Sequence, residues 1–157
     1  MMKIAVFAGS FDPFTLAHDD LIRRALPLFD KIHIAIGVNS AKKGMSDIEA
    51  RKKGITALYQ AVPQIEVGAF TGLTVDYCQS IGARFILRGL RNATDLDYEE
   101  AIAQNNLLLA PDVETYFLLA RSGKAHISST IVRDIWRNGG DISHLVPAEI
   151  LQTITTA

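Results

Sequence analysis

The chain has 157 residues, of which 48% are hydrophobic and 21% are charged, and its formal net charge at pH 7 is −1. That length predicts one domain over residues 1–157, and the near-neutral charge argues against a broad basic surface for nucleic acid. The single cysteine excludes an internal disulfide and a cysteine-based metal site. No signal-like segment is evident and no apolar run approaches about 18 residues, so we expect a cytoplasmic protein without a membrane span.

Taken in order, the chain alternates between β-rich runs and helical patterns. The β-rich runs are mostly unbroken apolar stretches, as is typical of strands covered on both faces, and lie at 3–8, 32–38, 65–70, 84–87 and 114–119. Helical patterns lie at 16–27, 46–61, 73–81, 96–110 and 128–137, and Pro147 opens a last one. Ser46, with Glu49 three residues later, predicts a capping box at the start of the second helix. The alternation predicts an α/β fold with a single doubly wound, Rossmann-like parallel sheet of about five strands.

The loops that follow the predicted strands differ in chemistry from the loops that precede them. Ligands of such sheets bind beyond the carboxyl ends of the strands. At this carboxyl edge the loops carry glycine, hydroxyl or basic residues, at 9–13, 39–43, 71–74, 88–92 and 121–130. At the opposite edge the loops at 27–30, 61–64 and 80–83 carry almost none of them. The sequence therefore predicts a site for a phosphate-rich ligand at the carboxyl edge.

Residues 9–18 carry the first part of that predicted site. An apolar strand ends at a glycine turn, Asp12-Pro13 breaks the backbone, and a helix begins close behind. Free backbone N–H groups and the positive end of a helix dipole then face one place. Thr15 and His18 are about one helical turn apart, so their side chains can lie close together. We interpret the stretch as a nucleotide-phosphate site; the alternative is an ordinary strand–turn–helix connection with a capping threonine and a surface histidine.

Basic side chains at the same edge are candidate phosphate ligands. Lys42 could reach an acceptor phosphate, whereas its neighbour Lys43 is interpreted as a solvated side chain. Arg88 and Arg91 come where a buried strand ends, and guanidinium groups bind phosphate oxygens in a bidentate manner. The alternative for both arginines is an ion pair with a nearby carboxylate. The acidic residues Asp95, Asp97, Glu99 and Glu100 suit the start of a helix, and Glu99 is also a candidate for contact with a nucleotide.

Three hydroxyl residues at 128–130 precede another predicted helix. Capping needs only one hydroxyl, so three in a row predict a second anion site. His126 is a candidate for the wall of the cleft, with an ordinary loop position as an equal alternative, while His33 is predicted in the core or at a strand edge and His144 in a polar turn.

We find no Ser-His-Asp set, metal-ligand spacing or convincing general base in the sequence. This favours a reaction that needs positioning and charge neutralisation, as phosphoryl-type transfers do.

Together these motifs resemble the bacterial phosphopantetheine adenylyltransferases of the nucleotidyltransferase superfamily. The matching pieces span nearly the whole chain: Gly9-Ser10-Phe11-Asp12-Pro13 with Thr15-Leu16-Ala17-His18, Lys42, Arg88-Gly89-Leu90-Arg91 with Asp95 and Tyr98-Glu99, and Ile127-Ser128-Ser129-Thr130-Ile131-Val132-Arg133. The first and last pieces are shared across the superfamily, whereas the piece at 88–99 is specific to this member. Ala17 departs from the signature, which has glycine there, and we expect tolerance because alanine is the least intrusive replacement.

The resemblance implies transfer of an adenylyl group from ATP, assisted by Mg²⁺, to 4′-phosphopantetheine. The products would be dephospho-coenzyme A and pyrophosphate, formed by in-line attack without a covalent enzyme intermediate. It implies catalytic roles for His18, Lys42 and Arg91. The implied ATP-binding residues are Ser10, Phe11, His18, Gly89, Leu90, Arg91, Glu99, Lys124, Ala125, His126, Ile127, Ser128, Ser129 and Thr130. The implied substrate-binding residues are Ser10, Lys42, Thr74 and Arg88. The family is typically a homohexamer, its products lead to coenzyme A, and no protein ligand for a metal is implied.

Two alternative functions stay open at this point. One is another small-molecule nucleotidyltransferase, such as an adenylyltransferase of nicotinate mononucleotide, since the end motifs are shared. The piece at 88–99 argues against it. The other is a non-catalytic, nucleotide-binding regulatory module, which the joint presence of His18, Lys42 and Arg91 disfavours.

Overall fold

The computed structural model describes residues 1–39 and 44–155. Within these ranges five strands form one sheet: β1 Ile4–Gly9, β2 Lys31–Gly37, β3 Ile65–Phe70, β4 Phe85–Leu90 and β5 Glu114–Leu119. The strand order is β3-β2-β1-β4-β5, and all neighbouring strands are parallel. The predicted α/β, Rossmann-like parallel sheet is therefore confirmed.

Helices fill the connections and cover both faces of the sheet. They are α1 Leu16–Ala25, α2 Ile48–Leu58, α3 Thr74–Ser80, α4 Ala93–Leu109, α5 Ser129–Arg137 and α6 Ala148–Thr155. A 3₁₀ turn, Leu26–Leu28, follows α1 because Pro27 has no backbone N–H with which to continue the α-helix. None of the helices in the described part of the chain combines the length and apolarity needed to cross a bilayer.

Side chains of β1 alternate between two hydrophobic clusters, as the period of a strand requires. Ala5 and Phe7 belong to the larger cluster, which they share with residues of α1, α2, α5 and α6. Val6 and Ala8 point to the other face, where the smaller cluster includes Val75 and other residues from α3 and the loops. Both faces of the central strand are thus covered, which explains its unbroken apolar sequence.

The path of the chain places a crevice beside β1. From β1 the chain adds β2 and β3 on one side, then crosses back to place β4 and β5 on the other. At such a switch point the connections leave the carboxyl ends of neighbouring strands in opposite directions, and ligands bind in the gap. The gap here lies between the ends of β1 and β4.

Two predicted boundaries differ from the structure in ways that affect the site. Strand β4 continues to Leu90, so Arg88 and Gly89 lie within the strand and not in the loop beyond it. The N-cap of α2 is Asp47, whose carboxylate accepts a hydrogen bond from the backbone N of Ala50 at 2.7 Å. The predicted capping box on Ser46 is wrong because the backbone of Ser46 is engaged in other tertiary contacts, described below.

Candidate active site

A cleft of about 290 Å³ lies where β1 and β4 end. Its walls come from the end of β1 and the turn after it, from α1, from the end of β4 and from the start of α5. The lining residues are Phe7, Ala8, Gly9, Ser10, Phe11, Ala17, His18, Leu21, Arg88, Gly89, Arg91, Ala120, Ile127, Ser128 and Ser129. The cleft is therefore the candidate active site at the predicted carboxyl edge.

His18 is oriented by the first turn of α1. The backbone N of Thr15 donates to His18 Nδ1 at 3.0 Å, and the backbone N of His18 donates to Thr15 Oγ1 at 3.4 Å. This reciprocal arrangement is a capping box in which a histidine takes the place of the usual glutamate. Because Nδ1 accepts the hydrogen bond, the proton of the neutral ring sits on Nε2.

The surroundings of His18 keep its ring neutral. Phe7, Phe11 and Phe14 surround the imidazole, with ring centroids 5.2–6.0 Å from it. Burial among these rings, together with the positive charges of Arg88 and Arg91, lowers the pKa of His18 from 6.5 to about 4. At neutral pH His18 is thus an uncharged residue that offers one hydrogen-bond donor, Nε2–H.

The turn after β1 is held in an unusual conformation. Phe11 has a φ of 46°, in the left-handed region that side chains rarely adopt, and the Asp12-Pro13 peptide is cis. The ring of Phe11 lies over Gly9, where a Cβ would come within 3.0 Å of it. Glycine at this position therefore allows the Phe11 ring to fold back against the strand beside His18.

Asp12 ties this turn to the loop that precedes α2. Its carboxylate, about 9% exposed, accepts hydrogen bonds from the backbone N of Met45 at 2.9 Å and of Ser46 at 3.2 Å. Arg51 forms an ion pair with Asp12 at 3.2 Å and donates to the carbonyl of Ser10 at 3.0 Å. A buried carboxylate–guanidinium pair thus fixes the backbone of the cleft at Ser10.

The ion-pair alternative holds for both arginines of the 88–91 piece. Arg88 Nε donates to Glu99 Oε2 at 2.8 Å, Nη2 to Oε1, and Nη1 to the carbonyl of Ala8 at 2.8 Å. Arg91 Nε and Nη2 donate to Asp95 at 2.9 and 3.0 Å. Both arginines nevertheless line the cleft. Pairing with carboxylates and access to a phosphate are therefore compatible in this fold.

Gly89 lets α1 approach the sheet between these arginines. A Cβ at Gly89 would lie 2.4 Å from Cδ1 of Leu21. Leu21 also lines the cleft. Glycine at position 89 therefore determines how closely this apolar side of the cleft can pack against β4.

The hydroxyl groups at the start of α5 have partners within the protein. Ser128 caps the helix by accepting from the backbone N of Ile131 at 3.2 Å, and Ser129 Oγ donates to the carbonyl of Pro13 at 2.8 Å. Thr130 Oγ1 accepts from Arg133 at 3.2 Å. Ser128 and Ser129 line the cleft, whereas Thr130 is exposed. What faces the cleft is therefore the helix N-terminus with two of the three hydroxyl residues.

Many of the predicted site residues come together at the cleft. They are Ser10, Phe11, His18, Arg88, Gly89, Arg91, Ile127, Ser128 and Ser129. Those that do not line it are Thr74, Leu90, Glu99, Lys124, Ala125, His126 and Thr130. Lys42 falls outside the described residues. Gly9 and Ala17, which lie in the predicted stretch 9–18 without having been given a role of their own, also line the cleft. Phe7, Ala8, Leu21 and Ala120 line it without having been predicted as part of the site.

The predicted site residues that do not line the cleft lie away from it for different reasons. Thr74 begins α3 after the outermost strand β3, so one strand, β2, lies between its strand and β1. Leu90 is buried and His126 is exposed. Glu99 is buried behind Arg88. Among the unpredicted residues, Phe7 was detectable, because it precedes the glycine turn on the face that α1 covers.

Comparison with known proteins gives the family of the chain. The family described as Cytidylyltransferase-like matches residues 6–135. The chain is 52% identical over 149 residues to the phosphopantetheine adenylyltransferase of Flavobacterium psychrophilum, covering 95% of this chain and 98% of the relative. It is 42% identical over 153 residues to that of Lachnoclostridium phytofermentans, covering 98% and 94%. The chain belongs to the phosphopantetheine adenylyltransferase family. The predicted family, and with it the predicted adenylyltransferase activity, is confirmed.

A solved structure agrees on the fold. A Vibrio parahaemolyticus protein, provisionally named a nicotinate-nucleotide adenylyltransferase, superposes with a TM-score of 0.73 and covers 99% of both chains. Its sequence is 20% identical to this chain, so the likeness shows the fold alone. Membership of the phosphopantetheine adenylyltransferase family therefore comes from the sequence relatives.

Proposed function

We propose that this protein transfers the adenylyl group of ATP to the phosphate of 4′-phosphopantetheine, with release of dephospho-coenzyme A and pyrophosphate. The observation that carries the proposal is the cleft at the β1–β4 switch point. There a neutral histidine donor, two arginines and the N-terminus of a helix face one cavity. The membership of the phosphopantetheine adenylyltransferase family indicates 4′-phosphopantetheine as the acceptor.

The main physical task of the site is to bring two anions together. Two unit charges about 4 Å apart repel by about 1 kcal/mol in water and by about 4 kcal/mol at an effective dielectric constant near 20. Arg88 and Arg91 place two cations at the cleft, and the N-terminus of α5 adds backbone N–H groups. We assign Arg88 to the acceptor phosphate and Arg91 to the phosphates of ATP, with Lys42 as a further cation for the acceptor.

His18 supplies the donor at the reacting phosphorus. An oxygen of the acceptor phosphate attacks the α-phosphorus of ATP, a new P–O bond forms, and the bond to the β-phosphate oxygen breaks to release pyrophosphate. Negative charge on the oxygens around the α-phosphorus rises as this happens. A neutral Nε2–H donor, already oriented by Thr15, stabilises that charge without reorganisation. No covalent enzyme intermediate is needed.

Mg²⁺ belongs to the substrate in this proposal. Among the described residues there is no cluster of three or more His, Cys, Asp or Glu side chains that could hold a metal ion. We assign Mg²⁺ to the phosphate oxygens of ATP, where it neutralises charge alongside Arg91. Excess EDTA should stop turnover and added Mg²⁺ should restore it, with the Tm of the free protein unchanged by either.

A parallel turnover assay tests the function. Pyrophosphate release is measured with ATP and either 4′-phosphopantetheine or nicotinate mononucleotide as the acceptor. We expect release with phosphopantetheine and at most a trace with nicotinate mononucleotide. The reverse preference would assign the protein to another branch of the superfamily, and binding of ATP without release from either acceptor would indicate a regulatory module.

We also propose that the protein works as a homohexamer in the cytoplasm. Large apolar side chains of α4 and β5 are exposed in the single chain: Leu96, Tyr98, Ile102, Leu107, Leu108, Leu109, Tyr116 and Leu119. Leu108 is 81% exposed, and apolar patches of this kind are typical of interfaces between subunits. Light scattering on the purified protein should give the mass of six chains, and a monomer would contradict the proposal.

A further inference from the structure

Phe11 adopts a backbone conformation that needs support from the rest of the protein. Its φ of 46° lies in the left-handed region, which side chains rarely adopt. A residue in this region keeps its conformation only where the surrounding structure fixes it. The contacts that fix the turn around Phe11 are therefore candidates for a role in the site.

The peptide group that precedes Phe11 is held by Arg51 of α2. Arg51 Nη1 donates to the carbonyl oxygen of Ser10 at 3.0 Å. This carbonyl belongs to the planar peptide group whose orientation relative to the Cα of Phe11 is described by φ. The direction of the Ser10 carbonyl and the backbone conformation of Phe11 are therefore coupled.

Arg51 is itself held in one orientation. Its side chain is 10% exposed, and its Nε lies 3.2 Å from the carboxylate of Asp12. Nε also donates to the carbonyl of Ser46 at 3.0 Å. Gly44 leaves room for this packing, since a Cβ there would lie 1.9 Å from Nη2 of Arg51. The planar guanidinium therefore offers Nη1 to Ser10 from a fixed position.

The ring of Phe11 connects this turn to His18. The ring centroids of Phe11 and His18 are 5.2 Å apart and the rings are nearly perpendicular, in an edge-to-face contact. The Phe11 ring also packs against Phe7 and Phe14, with centroids 5.4 and 5.3 Å away. These are the two other phenylalanines that surround the imidazole. A displacement of Phe11 would therefore loosen the packing around His18.

We propose that Arg51 is a positioning residue for His18, on which it acts through the Ser10 carbonyl and the ring of Phe11. It holds Phe11 against the imidazole, which keeps water away from the ring and preserves its orientation. Arg51 is not among the residues that line the cleft, so its effect is transmitted by Phe11. This proposal rests on the proposed function, in which His18 donates to the oxygens around the α-phosphorus.

The test is Arg51→Lys, which keeps the positive charge and removes the planar fork of donors. The ammonium group can pair with Asp12, but the Ser10 carbonyl loses its donor. We expect kcat with ATP and 4′-phosphopantetheine to fall about 10-fold, because a small misplacement of a catalytic group is costly. Both KM values should stay within about threefold. A wild-type kcat, or a loss confined to KM, would overturn the proposal.

Arg23→Lys is the matched control. It makes the same exchange in a different arginine–carboxylate pair, since Arg23 lies 2.9 Å from Asp19. Both residues belong to α1, the helix that carries His18, and the side chain of Arg23 is 53% exposed. We expect kcat of this variant to stay within about twofold of wild type.

Nitrogen NMR of the imidazole gives a readout that needs no turnover. Burial, together with the positive charges of Arg88 and Arg91, lowers the pKa of His18 to about 4. When Phe11 loosens in Arg51→Lys, water reaches the imidazole and the pKa of His18 should rise from about 4 toward 6.5. The charge at position 51 is retained, so the rise reports on packing. An unchanged pKa of His18 would overturn the proposal.

A double-mutant cycle tests the route through Phe11. In a Phe11→Leu background, Arg51→Lys should lower kcat by less than about a further twofold, because the ring through which Arg51 acts is absent. A full additional loss of kcat in that background would overturn the proposal, since Arg51 would then act by another route.

Gly44→Ala is a second variant, and it keeps every charged group in place. Its Cβ would come closest to Nη2 of Arg51, at the end of a flexible side chain that can move aside. We expect the same fall in kcat and the same rise in the pKa of His18. This variant decides the question if thermal melting shows that Arg51→Lys does not fold, and wild-type values for both quantities would overturn the proposal.

Wild-type turnover separates this proposal from the proposed function. If the wild-type protein releases no pyrophosphate with phosphopantetheine, the proposed function is wrong, and the NMR titration still decides whether Arg51 positions His18. Normal wild-type turnover, with wild-type kcat and His18 pKa in the variants, would remove only the role given to Arg51.

Discussion

The ion pairs at the two edges of the sheet, the carboxyl edge and the opposite or amino edge, differ in how exposed they are to water. At the carboxyl edge two carboxylates are buried and paired: Asp12 and its partner Arg51 are each about 10% exposed or less, and Glu99 is held by Arg88. At the amino edge Arg84 and Asp112 form a 3.7 Å ion pair in which Asp112 is 92% exposed. The first arrangement fixes backbone and side-chain positions, whereas the second is open to water and contributes little.

This difference shows where the fold accepts the cost of buried charge. Removing one partner of a buried pair leaves the other uncompensated, so such pairs persist only where the whole network is satisfied. Asp12 meets that condition through two backbone N–H groups and Arg51. Its network ends at the Ser10 carbonyl, in the wall of the cleft. The carboxyl edge thus holds a rigid wall of the cleft, which leads to predictions about substitutions at each edge.

The largest expected effect is that of His18→Ala. Loss of the Nε2–H donor should lower kcat by about 10²–10³, as for removal of an oxyanion donor. Thr15 Oγ1 can still accept from the backbone N of residue 18, so the helix cap and the fold should persist. Steady-state kinetics and circular dichroism check both points. His144→Ala, in an exposed turn, is the control, and a near-normal rate for His18→Ala would remove His18 from the mechanism.

The next effect in size separates two adjacent lysines. We expect Lys42→Ala to weaken binding of phosphopantetheine about 10-fold or more and binding of ATP less, because a charge-assisted bond to the acceptor phosphate is lost. Lys43→Ala should leave both affinities within about twofold. Titration calorimetry with each substrate measures the four values. Equal weakening of both substrates by Lys42→Ala would count against its assignment to the acceptor.

These substitutions show which parts of the site the sequence could predict. Strand, turn and helix N-terminus follow from local patterns, so the sequence places Ser10, Thr15 and His18 correctly relative to one another. The short spacing of Thr15 and His18 predicts that their side chains lie close together, and in the structure Thr15 Oγ1 lies 3.1 Å from His18 Nδ1. The rule that ligands bind beyond the carboxyl ends of the strands then adds Gly89 and Ser128 to the predicted site without any tertiary information.

The rest of the site depends on contacts between distant parts of the chain. The carboxylate of Asp12 accepts hydrogen bonds from the backbone of Met45 and Ser46, and no local sequence pattern predicts this long-range contact. The same contact explains why the predicted cap at Ser46 is wrong. The loop at 121–130 contains enough polar residues to suggest a continuous ligand contact. Only the side chains at its end face the cleft, because side-chain direction in a loop is set by packing and not by spacing.

A third prediction concerns the protonation of His18. Its pKa is about 4 in the folded protein and 6.5 in an unpacked chain, so between these values the unfolded state binds more protons than the folded state. The stability that comes from burying a neutral ring is therefore complete above about pH 6.5 and is lost as the pH falls toward about 4. Nitrogen NMR of the imidazole should show the Nε2–H tautomer from pH 8 down to about pH 5. A titration of His18 near pH 6.5 would contradict the neutral-donor mechanism.

The smallest expected effect lies at the amino edge. Asp112→Asn removes the charge of an exposed partner of Arg84 while Arg84 keeps its hydrogen bond to the Asp112 carbonyl at 3.4 Å. The free energy of unfolding should change by less than about 0.5 kcal/mol, and kcat and both KM values should stay at their wild-type levels. Urea denaturation and steady-state kinetics measure these quantities. If Asp112→Asn instead altered KM for either substrate, charge at the amino edge would be coupled to the cleft. That result would contradict the conclusion that only the carboxyl edge determines the geometry of the site.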